Sequence, residues 1–256
     1  VSCNQTVKFT DLLAEAKKMR ADTLVTGHYA IRKGALSNAS LHRASDSSKD
    51  QSYFLFATLQ DQLDYVRFPL GNFKKSEIRN LAEEYNLDVS DKPDSQDICF
   101  VTSDSYRDLI RNLYPHDIKR GKIYDTENNI LGQHNGIMNF TIGQRKGVGI
   151  SGLKEPLYVI DINKENNSVT LGPKDKLKKN IINFKNVNWL GGDINPHELD
   201  CTAKIRSTQQ DLPGILNIKN YKGTFSFYSK IDNTSPGQAC VFYKNDQLLG
   251  GGWIIS

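Results

Sequence analysis

Thr23-Leu24-Val25-Thr26-Gly27-His28-Tyr29-Ala30 decides how the first part of this chain is read. A short apolar run closed by a small residue and a polar ring reads as a buried strand whose carboxyl end carries functional groups. In open α/β sheets that end is where ligands bind. Upstream, Phe9, Leu12, Leu13 and Ala16 recur at helical spacing. Thr10 or Asp11 stands near the start of this helix and Lys17, Lys18 and Arg20 near its end, where cations suit the helix dipole. Downstream, residues 52–59 and 76–85 read as two further helices, the second capped by Ser76 with Ile78, Leu81, Ala82 and Tyr85 on one face. Helices interleaved with strands predict an α/β layer fold.

Beyond this region the chain changes character. Residues 1–112 hold 15 Lys+Arg, 16 Asp+Glu and 3 Gly, whereas residues 113–256 hold 18, 13 and 16. The charge balance therefore turns from slightly acidic to basic as glycine becomes frequent. Tyr114-Pro115 suits a helix ending at this boundary, because the residue before proline is pushed out of helical space. Residues 156–162 and 168–172, either side of a turn-rich stretch, read as a β-hairpin. Residues 201–206, 223–227, 239–243 and 252–255 are short β-branched or aromatic runs at barrel-like spacing. The expected organisation is an α/β domain over 1–112, a small central β-containing domain over 113–175 and a β-barrel over 176–256.

With 256 residues the chain is long enough for two or three cores, and no apolar run approaches the ~20 residues of a membrane-spanning helix. It opens on Val1 without a secretory signal, so it reads as part of a longer, cytoplasmic polypeptide. Cys3, Cys99, Cys201 and Cys240 form no C-x-x-C pair and have no His at zinc-ligand spacing, which predicts neither a disulfide scaffold nor a tightly bound metal. Cys201 and Cys240 lie inside strand-like runs and read as inert core thiols. Cys3, followed by Asn4-Gln5, and Cys99, preceded by Asp94-Ser95-Gln96-Asp97, have surroundings that favour exposure.

Five segments are rich in functional groups and poor in periodicity: residues 1–4, 26–29, 49–53, 94–100 and 141–149. Taken singly, a Cys, a His or a Gly-rich loop is more often structural. In order and spacing they closely resemble the tRNA-specific 2-thiouridylase family. The resemblance rests on CN-x4-KF (Cys3 to Phe9), TGHYA (Thr26 to Ala30), KDQSYFL (Lys49 to Leu55), FPLG (Phe68 to Gly71) and DSQDICF (Asp94 to Phe100). It continues through G-x-H-x-G and TIGQRKG-x-G (Gly132 to Gly149), PLYV (Pro156 to Val159), PGQ (Pro236 to Gln238) and the LGGG-x-I ending (Leu249 to Ile254).

The resemblance implies the C-terminal part of an adenine-nucleotide alpha hydrolase-like, PP-loop Rossmann-type domain, then a small central β-containing domain and a C-terminal β-barrel. It implies sulfur transfer to the wobble uridine of tRNA of the Glu, Gln and Lys type, with ATP, and Mg as its counter-ion, activating the base. Cys99 then resembles the persulfide carrier and Cys3 the thiol that attacks it, leaving a Cys3–Cys99 disulfide. Gly27 resembles the backbone that approaches the nucleotide; His28, Lys49, Asp50, Gln51, Arg206, Ser207 and Gln238 resemble tRNA contacts. Ser207 replaces the aromatic expected at its place. A cysteine desulfurase or sulfur-relay protein is the implied donor. The family's S-G-G-x-D-S phosphate loop does not occur in this sequence. Two other readings stand beside this one: a truncated, non-catalytic tRNA-binding module, and a dithiol oxidoreductase cycling Cys3 and Cys99.

Overall fold

The computed structural model describes residues 1, 3–87, 119–150, 155–192, 197–232 and 235–255. Cys99 and the DSQDICF segment lie outside them. The chain forms two compact units. One comprises Val1–Lys92, Asn180–Ser229 and Pro236–Ser256; the other comprises Pro93–Lys179 and Lys230–Ser235.

The first unit starts with a π-helical stretch, Asn4–Asp11, that runs into α1 (Leu12–Lys18). Phe9 and Leu13 are buried, but Leu12, expected on the same face, is 51% exposed. The wider π turn shifts the side-chain register ahead of α1, so a face drawn at regular α spacing is rotated. The strand in the opening stretch is β1 (Leu24–Val25), paired in parallel with β4 (Val66–Arg67). Among the described residues β4 is its one neighbour, and Val25 stays 58% exposed where the apolar run predicts burial. Residues 52–59 are not an α-helix: Ser52–Leu55 is a single 3-10 turn, followed by the separate helix α2 (Gln60–Tyr65). The helix α3 (Lys75–Glu84) starts before Ser76, because Glu77 Oε2 accepts the Lys74 N–H at 2.6 Å and fixes the first turn there.

The same unit contains a closed six-stranded barrel. Its strands are β9 (Lys178–Trp189), β10 (Leu199–Lys204), β11 (Leu212–Lys219), β12 (Lys222–Asp232), β13 (Ala239–Lys244) and β14 (Gln247–Ile254). They run in the order β13-β10-β11-β12-β9-β14, and β13 pairs with β14 to close the ring. Phe184, Phe225 and Phe242 are fully buried, Phe242 lying 5.0 Å from Phe184 and 6.0 Å from Phe225 between ring centroids. On its other edge β14 pairs with β3 (Ser40–His42), which pairs with β2 (Ile31–Lys33). An N-terminal hairpin therefore extends the barrel sheet, which is why the α/β part and the barrel pack as one body. The glycine-rich β14 permits this: a Cβ at Gly251 would stand 2.6 Å from the ring of Phe56, a fully buried N-terminal side chain.

The second unit is a four-stranded sheet ordered β6-β5-β8-β7. Its strands are β5 (Arg120–Tyr124), β6 (Ile130–Asn135), β7 (Tyr158–Asn163) and β8 (Ser168–Gly172). β7 and β8 form the expected hairpin. Ile123, Val148, Val159, Val169 and Leu171 make its core. His134 is 4% exposed and pins the sheet end: Nδ1 accepts the Gly136 N–H at 3.1 Å, and Nε2 donates to Asn167 O at 3.2 Å.

Candidate functional site

The carboxyl end of β1 is built by packing from several motifs. Phe9 and Phe68 flank the His28 ring at centroid distances of 6.0 and 6.1 Å. A Cβ at Gly71 would overlap the Ala30 carbonyl, so the FPLG turn can close against TGHYA only with glycine there. Gly27 differs. It is exposed, and a Cβ there would meet only Leu70 Cδ1, at an ordinary 3.8 Å. Nothing in the chain's own packing requires glycine at 27, and the backbone at this strand end is open.

His28 is half-buried, and its two nitrogens have opposite jobs. Nε2 faces Lys8 Nζ at 3.4 Å and must therefore accept, which places the ring proton on Nδ1, 2.9 Å from Thr26 Oγ1. Burial, and then the Lys8 charge, lower the imidazole pKa to about 4. At neutral pH the ring is an uncharged aromatic edge, not a cation.

Lys49, Asp50 and Gln51 are adjacent in sequence yet face different tasks. The Asp46 carboxylate shapes the turn before them by accepting from Ser48 N–H, Ser48 Oγ and Lys75 N–H, and the Ser48 hydroxyl foremost holds its pKa below the ordinary carboxylate value. The Lys49 N–H closes that turn on Asp46 O at 3.0 Å. The Asp50 side chain is 5% exposed and faces inward. Its oxygens accept from Ala44 N–H, Ser52 N–H and Ser52 Oγ at 2.9–3.1 Å. Asp50 thus shapes the loop through both of its oxygens. Gln51 joins the loop to β1's end: its N–H donates to Tyr29 O and its Oε1 accepts the Tyr29 N–H, both at 2.9 Å.

From there the connection runs to the barrel and to Cys3. The Tyr53 hydroxyl donates to Ala239 O at 3.0 Å, and burial raises its pKa to about 12. Ala239 follows Gln238, whose carbonyl accepts the Ile254 N–H at 2.8 Å. The antiparallel register Lys204↔Val241 brings the exit of β10, and hence Arg206 and Ser207, to the same barrel end as Gln238. Arg206 is close enough to Tyr53 for its charge to oppose the rise of that phenol's pKa. Both Arg206 and Ser207 are half-buried. On the other side, Asn4 Nδ2 donates to Phe54 O at 3.3 Å, which sets Cys3 beside the same turn. Cys3 is exposed, whereas Cys201 and Cys240 are buried. Burial pushes the Cys201 thiol up to about 12 and Cys240 in the same direction, which leaves both poor nucleophiles. Among the described residues no three His, Cys, Asp or Glu side chains lie together as metal ligands, and no helix is long and apolar enough to cross a membrane.

Three family models match consecutive parts of the chain. They are the tRNA methyl transferase HUP domain over residues 1–103, the tRNA methyl transferase PRC-barrel domain over 108–173 and the aminomethyltransferase beta-barrel domain over 179–254. The chain is 50% identical over 256 residues to the tRNA-specific 2-thiouridylase MnmA of Ehrlichia ruminantium (strain Gardel), an alignment covering 99% of this chain and 69% of that protein. It belongs to the tRNA-specific 2-thiouridylase family. The MnmA of Wolbachia sp. subsp. Drosophila simulans (strain wRi) is 51% identical over 259 residues, covering all of this chain and 69% of the relative. That of Paracoccus denitrificans (strain Pd 1222) is 46% identical over 258 residues, covering 99% and 66%. The fold of a 2-thiouridylase is thus present here as a HUP-type α/β part, a PRC-barrel-type middle domain and a terminal β-barrel.

Sequence reasoning missed the polar joint that holds this site together. The Arg43 guanidinium lies 3.7 Å over the Tyr243 ring, 3.1 Å from Asp211 and 3.9 Å from Asp50. The Tyr243 hydroxyl meets Ser52 Oγ at 3.1 Å. Arg43 carries no local signal of this role, because Tyr243 and Asp211 come from the barrel. Asn4 and Tyr53 did stand in the family motifs, and that was the available clue.

Proposed function

We propose that this chain serves 2-thiolation of the wobble uridine of tRNA, with activity requiring the S-G-G-x-D-S phosphate loop that this sequence does not contain. The observation supporting this most is the hydrogen-bonded path through Phe54, Gln51, Tyr29 and Ala239. It gathers the exposed Cys3, the open Gly27 backbone and the barrel end bearing Arg206 and Gln238 on one compact unit. A uracil C2 carbonyl is urea-like and unreactive, so ATP, when bound, would supply activation by adenylating O2 with release of pyrophosphate, making AMP the leaving group. The Gly27 backbone at the carboxyl end of β1 is where the nucleotide approaches.

Cys99 carries the transferable sulfur as a persulfide loaded by a cysteine desulfurase or relay protein. The Cys3 thiolate attacks Cys99 Sγ; the outer sulfur takes the bonding pair and replaces AMP at C2, and the two cysteines remain as a disulfide for an external thiol to reduce. One sulfane sulfur is reduced and two thiols are oxidised, so electrons balance. His28, Lys49, Gln51, Arg206, Ser207 and Gln238 hold an anticodon loop whose wobble base is turned out of the stack, at a cost of a few kcal/mol. Asp50 contributes by fixing the loop that carries Lys49 and Gln51.

The test incubates the chain, and the chain extended at its amino end to the length of its relatives, with ATP, cysteine, a cysteine desulfurase, a thiol reductant and unmodified tRNA of the Glu, Gln or Lys type. Nucleoside mass spectrometry then reads the wobble position. Sulfur-for-oxygen exchange that Cys99→Ser abolishes is the expected result. Tight tRNA binding with no exchange by either form overturns the reading in favour of a non-catalytic tRNA-binding module.

A further inference from the structure

The TIGQRKG-x-G segment of the second unit is the motif to which neither the base chemistry nor the first-unit contacts give a role. Its loop is braced from within. Gln144 Oε1 accepts the Thr141 N–H and Gln144 Nε2 donates to Lys146 O, both at 3.0 Å, so one side chain spans the loop. Two backbone bonds strap it to β7: Gly143 N–H to Val159 O at 2.7 Å, and Val159 N–H to Gln144 O at 2.9 Å. Val148 anchors the far side in the core, 8% exposed. Gly143, Gly147 and Gly149 take φ of +85°, +72° and +78°, a region in which side-chain-bearing residues are strained.

This rigid frame presents Arg145 and Lys146, both exposed. Among the described residues neither pairs with a carboxylate. The backbone beside them is open: a Cβ at Gly149 would meet nothing within 4 Å, and one at Gly147 only Gln144 Nε2 at 3.9 Å. A loop already ordered forfeits little entropy when a ligand arrives. Two consecutive exposed cations suit separate phosphates along a chain better than one small anion.

The geometry points to the Gln144-braced loop as a further tRNA contact, in which Arg145 and Lys146 grip the sugar-phosphate backbone without reading sequence. This rests on the tRNA reading above and extends it to the second unit. Phosphate contacts of this type position a nucleic acid and make binding salt-dependent.

The experiment measures binding of an unmodified tRNA transcript to the chain and to Arg145→Ala/Lys146→Ala by filter retention across a salt series, with thermal melts as a folding control. The double variant is expected to melt like the parent, bind tRNA about tenfold more weakly near 0.1 M salt and lose about 1.5 from the slope of log K against log salt. The loss should be equal for transcripts with uridine or cytidine at the wobble position, and ATP affinity should not change. Gln144→Ala, which keeps both charges and removes the brace, should weaken binding while retaining the parent slope. Unchanged affinity and slope in the double variant, or a loss confined to ATP, overturns the proposal. Sulfur exchange on the tRNA is read separately by nucleoside mass spectrometry, so failure here leaves the thiolation reading standing, and the reverse also holds.

Discussion

His28→Gln should flatten the acid limb of this protein's stability curve. The folded ring places its Nε2 lone pair 3.4 Å from Lys8 Nζ and lies between Phe9 and Phe68, so protonation sets two cations face to face in an apolar cleft. Its folded pKa of about 4 compares with 6.5 when unfolded. Above pH 6.5 both states hold the ring neutral and its contribution is fully present. As pH falls below 6.5 the unfolded chain takes up a proton that the folded chain refuses, so stability drops until about pH 4 and then levels. At 1.36 kcal/mol per unit the full effect is about 3 kcal/mol, and about 2 kcal/mol of it falls between pH 7.5 and pH 5. Urea unfolding of parent and variant at those two pH values measures it. Gln keeps an acceptor for Lys8 and cannot titrate, so the variant loses a constant amount from the missing ring but lacks the slope. His42 and His134, whose pKa values burial also lowers, cancel in the difference. A parent-minus-variant difference that is the same at both pH values refutes the argument.

Two further outcomes follow from the site's geometry. Gly27→Ala, with a Cβ in contact only with Leu70 and no positive φ, should leave unfolding free energy within about 0.5 kcal/mol of the parent while weakening ATP at least about tenfold by calorimetry. A stability loss with ATP affinity unchanged would reassign this glycine to packing. Arg43→Met removes the countercharge of Asp50, 5% exposed, and Asp211, 27% exposed, so unfolding in urea should become easier by about 3 kcal/mol. The strongest contrary result would be a loss below about 0.5 kcal/mol, which would mark the joint as solvated.

The elements built on local alternation were legible in the sequence. The β7–β8 hairpin and four of the six barrel strands, β10, β12, β13 and β14, follow from β-branched or aromatic runs that need no distant partner to be recognised, whereas β9 and β11 were not legible in this way. Elements whose shape is set from outside were not. Residues 52–59 look helical by composition, yet the Asp50 carboxylate holds Ser52 and the barrel's Tyr243 and Ala239 draw in Ser52 and Tyr53, so a 3-10 turn forms instead. Likewise, α3 starts where Glu77 can reach back to Lys74, one residue before the serine that looks like the cap. The site segments were visible because several functional residues fall together without helical or strand period. Their wiring was invisible, since Tyr53 with Ala239 and Ser52 with Tyr243 are separated by 186 and 191 residues.

That wiring explains why the non-periodic segments are so polar. A joint between an α/β part and a barrel must satisfy buried backbone groups that neither part's own sheet reaches. Gln51 does this for Tyr29 and Tyr53 for Ala239, each with a side chain reaching a backbone partner in another segment. The groups available to a ligand are then those left facing outward at the same joint: the exposed Cys3, the open Gly27 backbone and the edge of His28. Site and joint are one construction. A substitution that loosens Arg43 or Asp50 should therefore displace the Lys49–Gln51 loop relative to the barrel end, and tRNA affinity should fall even where neither altered residue touches the tRNA. Within the KDQ triplet, Asp50 acts through the geometry it imposes on its neighbours, since its oxygens are already held by Ala44 and Ser52.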